Sequence, residues 1–202
     1  MQQKTKILVA EDDLQLGFII KDNLEEAGFQ VINCPDGETA WEHYQRDSPD
    51  LCILDVNMPY RDGFSLARKI RQKSDRVPVL FLTAKSLEED KLKGFDSGGD
   101  DYILKPFSMK ELLSRINVFL RRSKMLASSS DKRFTVGRFT FLIEELRLIN
   151  GDETISLTQR ETELLEFLCY HSNKVLKREE ILSNVWGKND FFLGRSMDVF
   201  MT

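Results

Sequence analysis

Over its first 122 residues the chain repeats one unit, a short apolar run followed by an amphipathic stretch, at intervals of about 21 to 28 residues. That rhythm is expected of βα units wound around a parallel sheet. The apolar runs fall at residues 7–10, 29–32, 51–54, 79–82 and 102–104. Between the first two, Leu16, Ile20, Leu24 and Ala27 keep helical spacing up to Gly28, a candidate C-cap. Near the end, Ser108 and Glu111 form a capping box. Leu112, Ile116, Phe119 and Leu120 then mark a buried stripe that stops at Arg121 and Arg122, where the helix dipole favours cations.

Residues 123–132, SKMLASSSDK, lose this periodicity and read as a flexible linker between a domain of residues 1–122 and a second of residues 133–202. The second domain opens with alternating runs at 134–136, 139–143, 146–149 and 154–156, and Asn150-Gly151 signals a hairpin turn. Thr158 and Glu161 form another capping box ahead of Leu164, Leu165 and Leu168, and a further helix is expected over 178–186. Strands followed by helices make this half α+β.

With 41% apolar and 31% charged residues, the chain is globular in composition. No apolar run approaches the roughly 18 residues of a membrane span, and no signal peptide is expected. Three cysteines, at 34, 52 and 169, form no CxxC pair, which points away from disulfides and zinc and toward a reducing cytoplasm. The net charge of −4 gives no global attraction to nucleic acid, so a DNA contact has to be local.

The chemistry concentrates at one sheet edge. Glu11, Asp12 and Asp13 follow the first strand, Asp55 the third, Thr83 the fourth and Lys105 the fifth, and ligands of open α/β sheets bind at the carboxyl ends of the strands. Two carboxylates about 4 Å apart repel by roughly 4 kcal/mol at an effective dielectric of about 20, so converging acids need raised pKa values or a cation. Mg²⁺ suits such acids, because it takes one or two carboxylates and keeps waters. Singly, each residue has a plainer reading: the acids as first-turn residues of the next helix, Asp55 as a turn residue. Their coincidence at one edge favours a site.

The segments ILVAEDD at 7–13, LDVNMPYRDG at 54–63, LTAK at 82–85 and DDYILKPF at 100–107 resemble the receiver domains of bacterial response regulators of the OmpR/PhoB class. The resemblance spans residues 5–122 and implies a five-stranded, parallel, doubly wound α/β fold. It implies Asp55 as phosphoryl acceptor, with Mg²⁺ held by Asp12, Asp55, the backbone carbonyl of Asn57 and, through water, Glu11. Asp13 is left outside this set. Lys105 and Thr83 would contact phosphoryl oxygens, Tyr102 would turn inward when Thr83 moves, and Lys105–Pro106 would be cis. The donor would be a sensor histidine kinase, since neither His43 nor His171 lies in a motif for an internal donor. By the same resemblance, phosphorylation promotes a homodimer through a receiver face where Lys91 pairs with Glu111 and Asp101 with Arg115.

Residues from 133 resemble the family's winged-helix DNA-binding domain, through LTQRETELLEFL and REEILSNVWG. The family continues into a basic recognition helix and a wing beyond the point where this chain stops. Residues 123–202 carry 11 Lys and Arg against 12 Asp and Glu, so the chain as given is expected to be defective in binding promoter DNA. Trp186 and Arg195 match positions where the family touches DNA, and Trp186 reads equally as a core anchor. The loop at 187–194, with Phe191 and Phe192, corresponds to a segment that contacts RNA polymerase in relatives. The expected function is a phosphorylation-switched transcription regulator, not a turnover enzyme. Two rivals are a Mg²⁺-dependent aspartyl phosphohydrolase, which commonly carries an acid/base Asp where Asn57 stands, and a regulator acting only through protein contacts.

Overall fold

The computed structural model describes residues 4–74, 76–84, 98–126, 133–186 and 197. The chain divides into two compact units, Met1–Leu120 and Arg121–Thr202. In the first, strands β1 (Lys6–Ala10), β2 (Gln30–Cys34), β3 (Leu51–Asp55), β4 (Val79–Thr83) and β5 (Asp101–Leu104) form a parallel sheet in the order β2-β1-β3-β4-β5. Helices α1 (Leu14–Glu26), α2 (Gly37–Asp47), α3 (Gly63–Lys73) and α4 (Met109–Leu126) accompany it.

Side chains alternate between the two faces of a strand. On one face Ile7, Val9, Ile53, Leu80, Leu82 and Ile103 pack with Ile20 and Leu24 of α1 and with Leu112, Ile116 and Phe119 of α4. The intervening residues Leu8, Cys52, Leu54 and Phe81 are buried on the opposite face, where Phe81 meets Phe64 of α3 edge-on at 5.2 Å. Covered faces on both sides explain why the strands read as continuous apolar runs.

Local signals set the helix ends. Asp13, Asp36 and Asp62 cap α1, α2 and α3 by accepting backbone N–H groups of the first turn. α1 stops at a Schellman turn: Gly28, at φ +95°, donates to Glu25 O, and Phe29 donates to Leu24 O. α4 runs to Leu126, past the Arg121-Arg122 pair at which the sequence pattern placed its end. Residues 123–126 of the expected linker are therefore helical, and residues 127–132 lie outside the described residues.

The second unit begins with an antiparallel sheet, β6 (Arg133–Val136), β7 (Phe139–Leu142), β8 (Arg147–Asn150) and β9 (Glu153–Ser156), in that order. Asn150 pairs with Glu153, so the hairpin loop is Gly151-Asp152, one residue beyond the expected turn, with Gly151 at φ +59°. Thr158 and Glu161 exchange both hydrogen bonds of the capping box and start α5 (Gln159–Tyr170). The last expected helix is α6 (Arg178–Ile181), which widens into a π turn over Leu182–Trp186. Among the described residues no helix is long and apolar enough to cross a membrane.

Close packing under β3 positions the site edge. A Cβ on Gly63 would sit 2.2 Å from the carbonyl oxygen of Asp55, so only glycine lets the start of α3 approach that strand end. Gly63→Ala is expected to cost about 1–3 kcal/mol through overpacking. Urea unfolding checks this, and an unchanged midpoint at equal slope would remove the steric argument.

Candidate functional site

The parallel register sets Ala10 beside Leu54, Asp55 beside Leu82 and Thr83 beside Leu104. The residues that end or follow these strands therefore share one edge. Glu11 is 1% exposed, Asp55 5% and Thr83 2%, whereas Asp12 faces solvent. Glu11, Asp12 and Asp55 offer carboxylate oxygens within 4.8 Å of one another. Lys105 donates to both oxygens of Glu11 at 2.7 Å and to Asp55 Oδ2 at 2.6 Å. The other Asp55 oxygen, Oδ1, accepts the backbone N–H of Asn57 at 2.9 Å.

Backbone bonds hold this corner. Val56 N–H donates to Leu82 O, and Gly63 N–H donates to Val56 O, both at 3.0 Å, while Lys105 N–H donates to Thr83 O at 2.8 Å. The Lys105–Pro106 peptide is cis. Tyr102 is buried with its ring 5.1 Å from that of Phe81. Asp13 is engaged as the α1 cap, accepting from Gln15 and Leu16, and is not among the clustered acids.

The charges are out of balance. With three acids ionised and one ammonium, the pocket carries a formal charge of −2. Burial lifts the Glu11 pKa from 4.5 to about 7; Lys105 pulls it down and the Asp55 charge adds to the rise. Burial alone would lower Lys105, but its bonds to Asp55 and Glu11 outweigh that and hold its pKa above the ordinary value. A hard divalent cation fits this donor set, all carboxylate oxygen with one member open to solvent.

The comparisons with known proteins show the family. Residues 7–117 match the family described as response regulator receiver domain. The chain belongs to the response regulators. Residues 152–202 of this response regulator match the family described as transcriptional regulatory protein, C terminal, which makes it OmpR/PhoB-type. The transcriptional regulatory protein RprY of Bacteroides fragilis is 42% identical over 202 residues, covering 100% of this chain and 86% of that relative. The alkaline phosphatase synthesis transcriptional regulatory protein PhoP of Bacillus subtilis is 37% identical over 188 residues, covering 90% of this chain and 78% of that protein. Among solved structures, a Francisella response regulator receiver domain superposes with a TM-score of 0.57 at 38% identity, covering 59% of this chain and 99% of that one.

Arg115 donates to both oxygens of Asp101, at 3.1 and 2.9 Å, and to Glu111 Oε1 at 2.9 Å. Three of the four dimer-face residues are thus joined within one chain, and Lys91 lies outside the described residues. Trp186 is 5% exposed, in a core cluster with Leu164, Ile181, Leu182, Val185 and Met197. The guanidinium of Arg160 sits 5.2 Å from its ring centroid, so in this structure Trp186 packs the interior. Arg195 and the 187–194 loop lie outside the described residues.

Two supporting features had no sequence signal strong enough to find them. Gly63 needs its close approach to Asp55, which only the folded β3–α3 turn reveals. Arg71 pairs with buried Asp100 and donates to Gly98 O and Val77 O, while Asp100 accepts Val79 N–H. Gly98 and Asp100 are far from Arg71 in sequence, and the contacts anchor the opposite edge of β4 and β5.

The Glu11 shift has a sign that can be measured. Because its folded pKa lies above the unfolded value, the folded state holds an extra proton between about pH 4.5 and 7, and stability linked to Glu11 falls as pH rises through that window. In cation-free buffer, Glu11→Gln is expected to remove this part of the pH dependence. Thermal unfolding from pH 5 to 8 checks it; parallel curves for parent and variant contradict the assignment.

Proposed function

We propose that this response regulator accepts a phosphoryl group on Asp55 from the phosphohistidine of a sensor histidine kinase. One observation carries the reading: Glu11, Asp55 and Lys105, from three strand ends, meet in hydrogen-bonded contact with Asp12 at the rim. An Asp55 carboxylate oxygen attacks phosphorus, the phosphorus–nitrogen bond of the donor breaks, and an aspartyl phosphate forms. Such transfers need mostly positioning and charge neutralisation.

Asn57 N–H and Lys105 each fix one Asp55 oxygen before the donor arrives. Lys105 and the hydroxyl of Thr83 would then bind phosphoryl oxygens. Mg²⁺ fits the acids, with Asp12, Asp55 and the Asn57 carbonyl as direct ligands and Glu11 acting through water. When bound it supplies positive charge against the phosphoryl oxygens.

The phosphoryl group acts as a switch, and no continuous turnover is assigned to the protein. Moving a population from 1:99 to 99:1 requires about 5.5 kcal/mol of differential binding. Thr83 and buried Tyr102 are the residues assigned to carry that preference. The output is a homodimer through the receiver face of Lys91, Asp101, Glu111 and Arg115, which in a regulator with the whole winged-helix domain leads to promoter DNA binding and contact with RNA polymerase in the cytoplasm. Since Asp101 and Arg115 are already paired within one chain, dimer formation through them requires an exchange of partners.

Acetyl phosphate with Mg²⁺ is expected to label the parent protein about once per chain, with slow loss, and to leave Asp55→Asn unlabelled. Equal labelling of both proteins would defeat the assignment of Asp55. Continuous release of phosphate would instead indicate a phosphohydrolase.

A further inference from the structure

Charge is unevenly spread along the chain. Residues 61–76 carry six Lys and Arg against two Asp, in a protein of net charge −4. Two of the six are committed inside the fold, Arg61 to Glu38 and Arg71 to buried Asp100. Arg68, Lys69 and Lys73 of α3 and Arg76 just beyond it form no ion pair among the described residues. Lys69 and Lys73 lie one turn apart, where like charges repel, yet both ammonium groups sit over the ring of Trp41, 5.3 and 5.4 Å from its centroid. Trp41 is itself stacked on Tyr44 of α2, with ring centroids 5.7 Å apart. The ring gathers two cations and carries no net charge to neutralise them, so neutralisation is left to solvent or a partner.

The chemistry of that partner follows from what the face lacks. Protein interfaces are built around buried aromatic or aliphatic anchors, and among the described residues no large apolar side chain is exposed over 63–76. Binding to a phosphate backbone needs no such anchor. It is electrostatic and sequence-independent, and duplex DNA presents one negative charge per roughly 1.7 Å of axis. Arg68, Lys69 and Lys73 fall within about 8 Å of helix at 1.5 Å per residue, a cation density suited to such a polyanion. Membership of a transcriptional regulatory family brings this protein to DNA.

We propose that the α3 face binds the phosphate backbone of DNA through Arg68, Lys69, Lys73 and Arg76, so that the receiver unit makes a sequence-independent contact of its own. The inference stands apart from the phosphoacceptor reading, because no residue of the acidic pocket takes part.

Fluorescence anisotropy of a labelled duplex of arbitrary sequence, titrated with the full chain from about 50 to 200 mM salt, tests it. Affinity of the parent protein is expected to fall steeply with salt. Lys69→Gln/Lys73→Gln is expected to make the slope of log K against log[salt] shallower by about two and to weaken binding at low salt about tenfold. Lys21→Gln/Lys110→Gln, an equal charge change on α1 and α4, is expected to keep the parent slope. Equal slopes for the parent and the α3 variant, or no duplex binding by the parent at low salt, overturn the proposal.

A second measurement on the parent protein needs no substitution. Acylation of Lys69 and Lys73 by an amine-reactive ester, read by peptide mass spectrometry, is expected to drop severalfold when the duplex is added, while that of Lys21 holds. Duplex binding without this protection places the contact elsewhere and defeats the α3 assignment. Poly-L-glutamate at equal charge is expected to compete weakly; full displacement of the duplex would assign the face to an acidic protein instead of DNA.

Discussion

Buried like charges need a counter-charge, and the N-terminal unit is arranged around one corner where that demand is acute. Glu11 ends the apolar course of β1 and Asp55 closes β3, both shielded from water. Lys105, brought in from the end of β5, holds both acids. Burial, with the Asp55 charge adding to it, pushes the Glu11 pKa up to about 7 against the downward pull of Lys105. The corner is satisfied by its own lysine yet still negative, and that residual charge makes it receptive to a divalent cation.

The rest of the unit holds this corner still. Parallel pairing aligns the strand ends, and caps at Asp13 and Asp62 start the helices that leave the site edge. Gly63 lets α3 close against the Asp55 peptide. At the opposite edge, Arg71 and Asp100 tie the entrances of β4 and β5 together. The strand that carries Thr83 and the strand that Lys105 follows are thus tied together at the end opposite the site.

Much of this was legible in the residues because strong local rules applied. Fully buried strands read as apolar runs, and both capping boxes named their helix starts. Acids and a lysine after successive strands converge in any parallel sheet, so the pocket followed from topology plus spacing. What stayed hidden depends on tertiary context. The end of α4 ran past a charged pair that resembled a stop, since charge near a helix end is a weak signal. Trp186 was open between a DNA contact and a core anchor, and only the packing beneath Arg160 shows it buried. Arg115 and Glu111 are an i, i+4 pair on one helix, whereas pairing of Arg115 with Asp101 of its own chain depends on β5 and α4 lying side by side, which spacing alone does not reveal.

Family membership describes a regulator whose first unit is a receiver domain and whose second belongs to a transcriptional output family. The central claim is that the acids at the strand ends form one cation site beside Asp55. Crystals soaked in Mn²⁺, with the metal located by its anomalous scattering, test it most directly. The account predicts a single strong peak bounded by Glu11, Asp12 and Asp55. A peak elsewhere, or none at a concentration that saturates binding in solution, would contradict it.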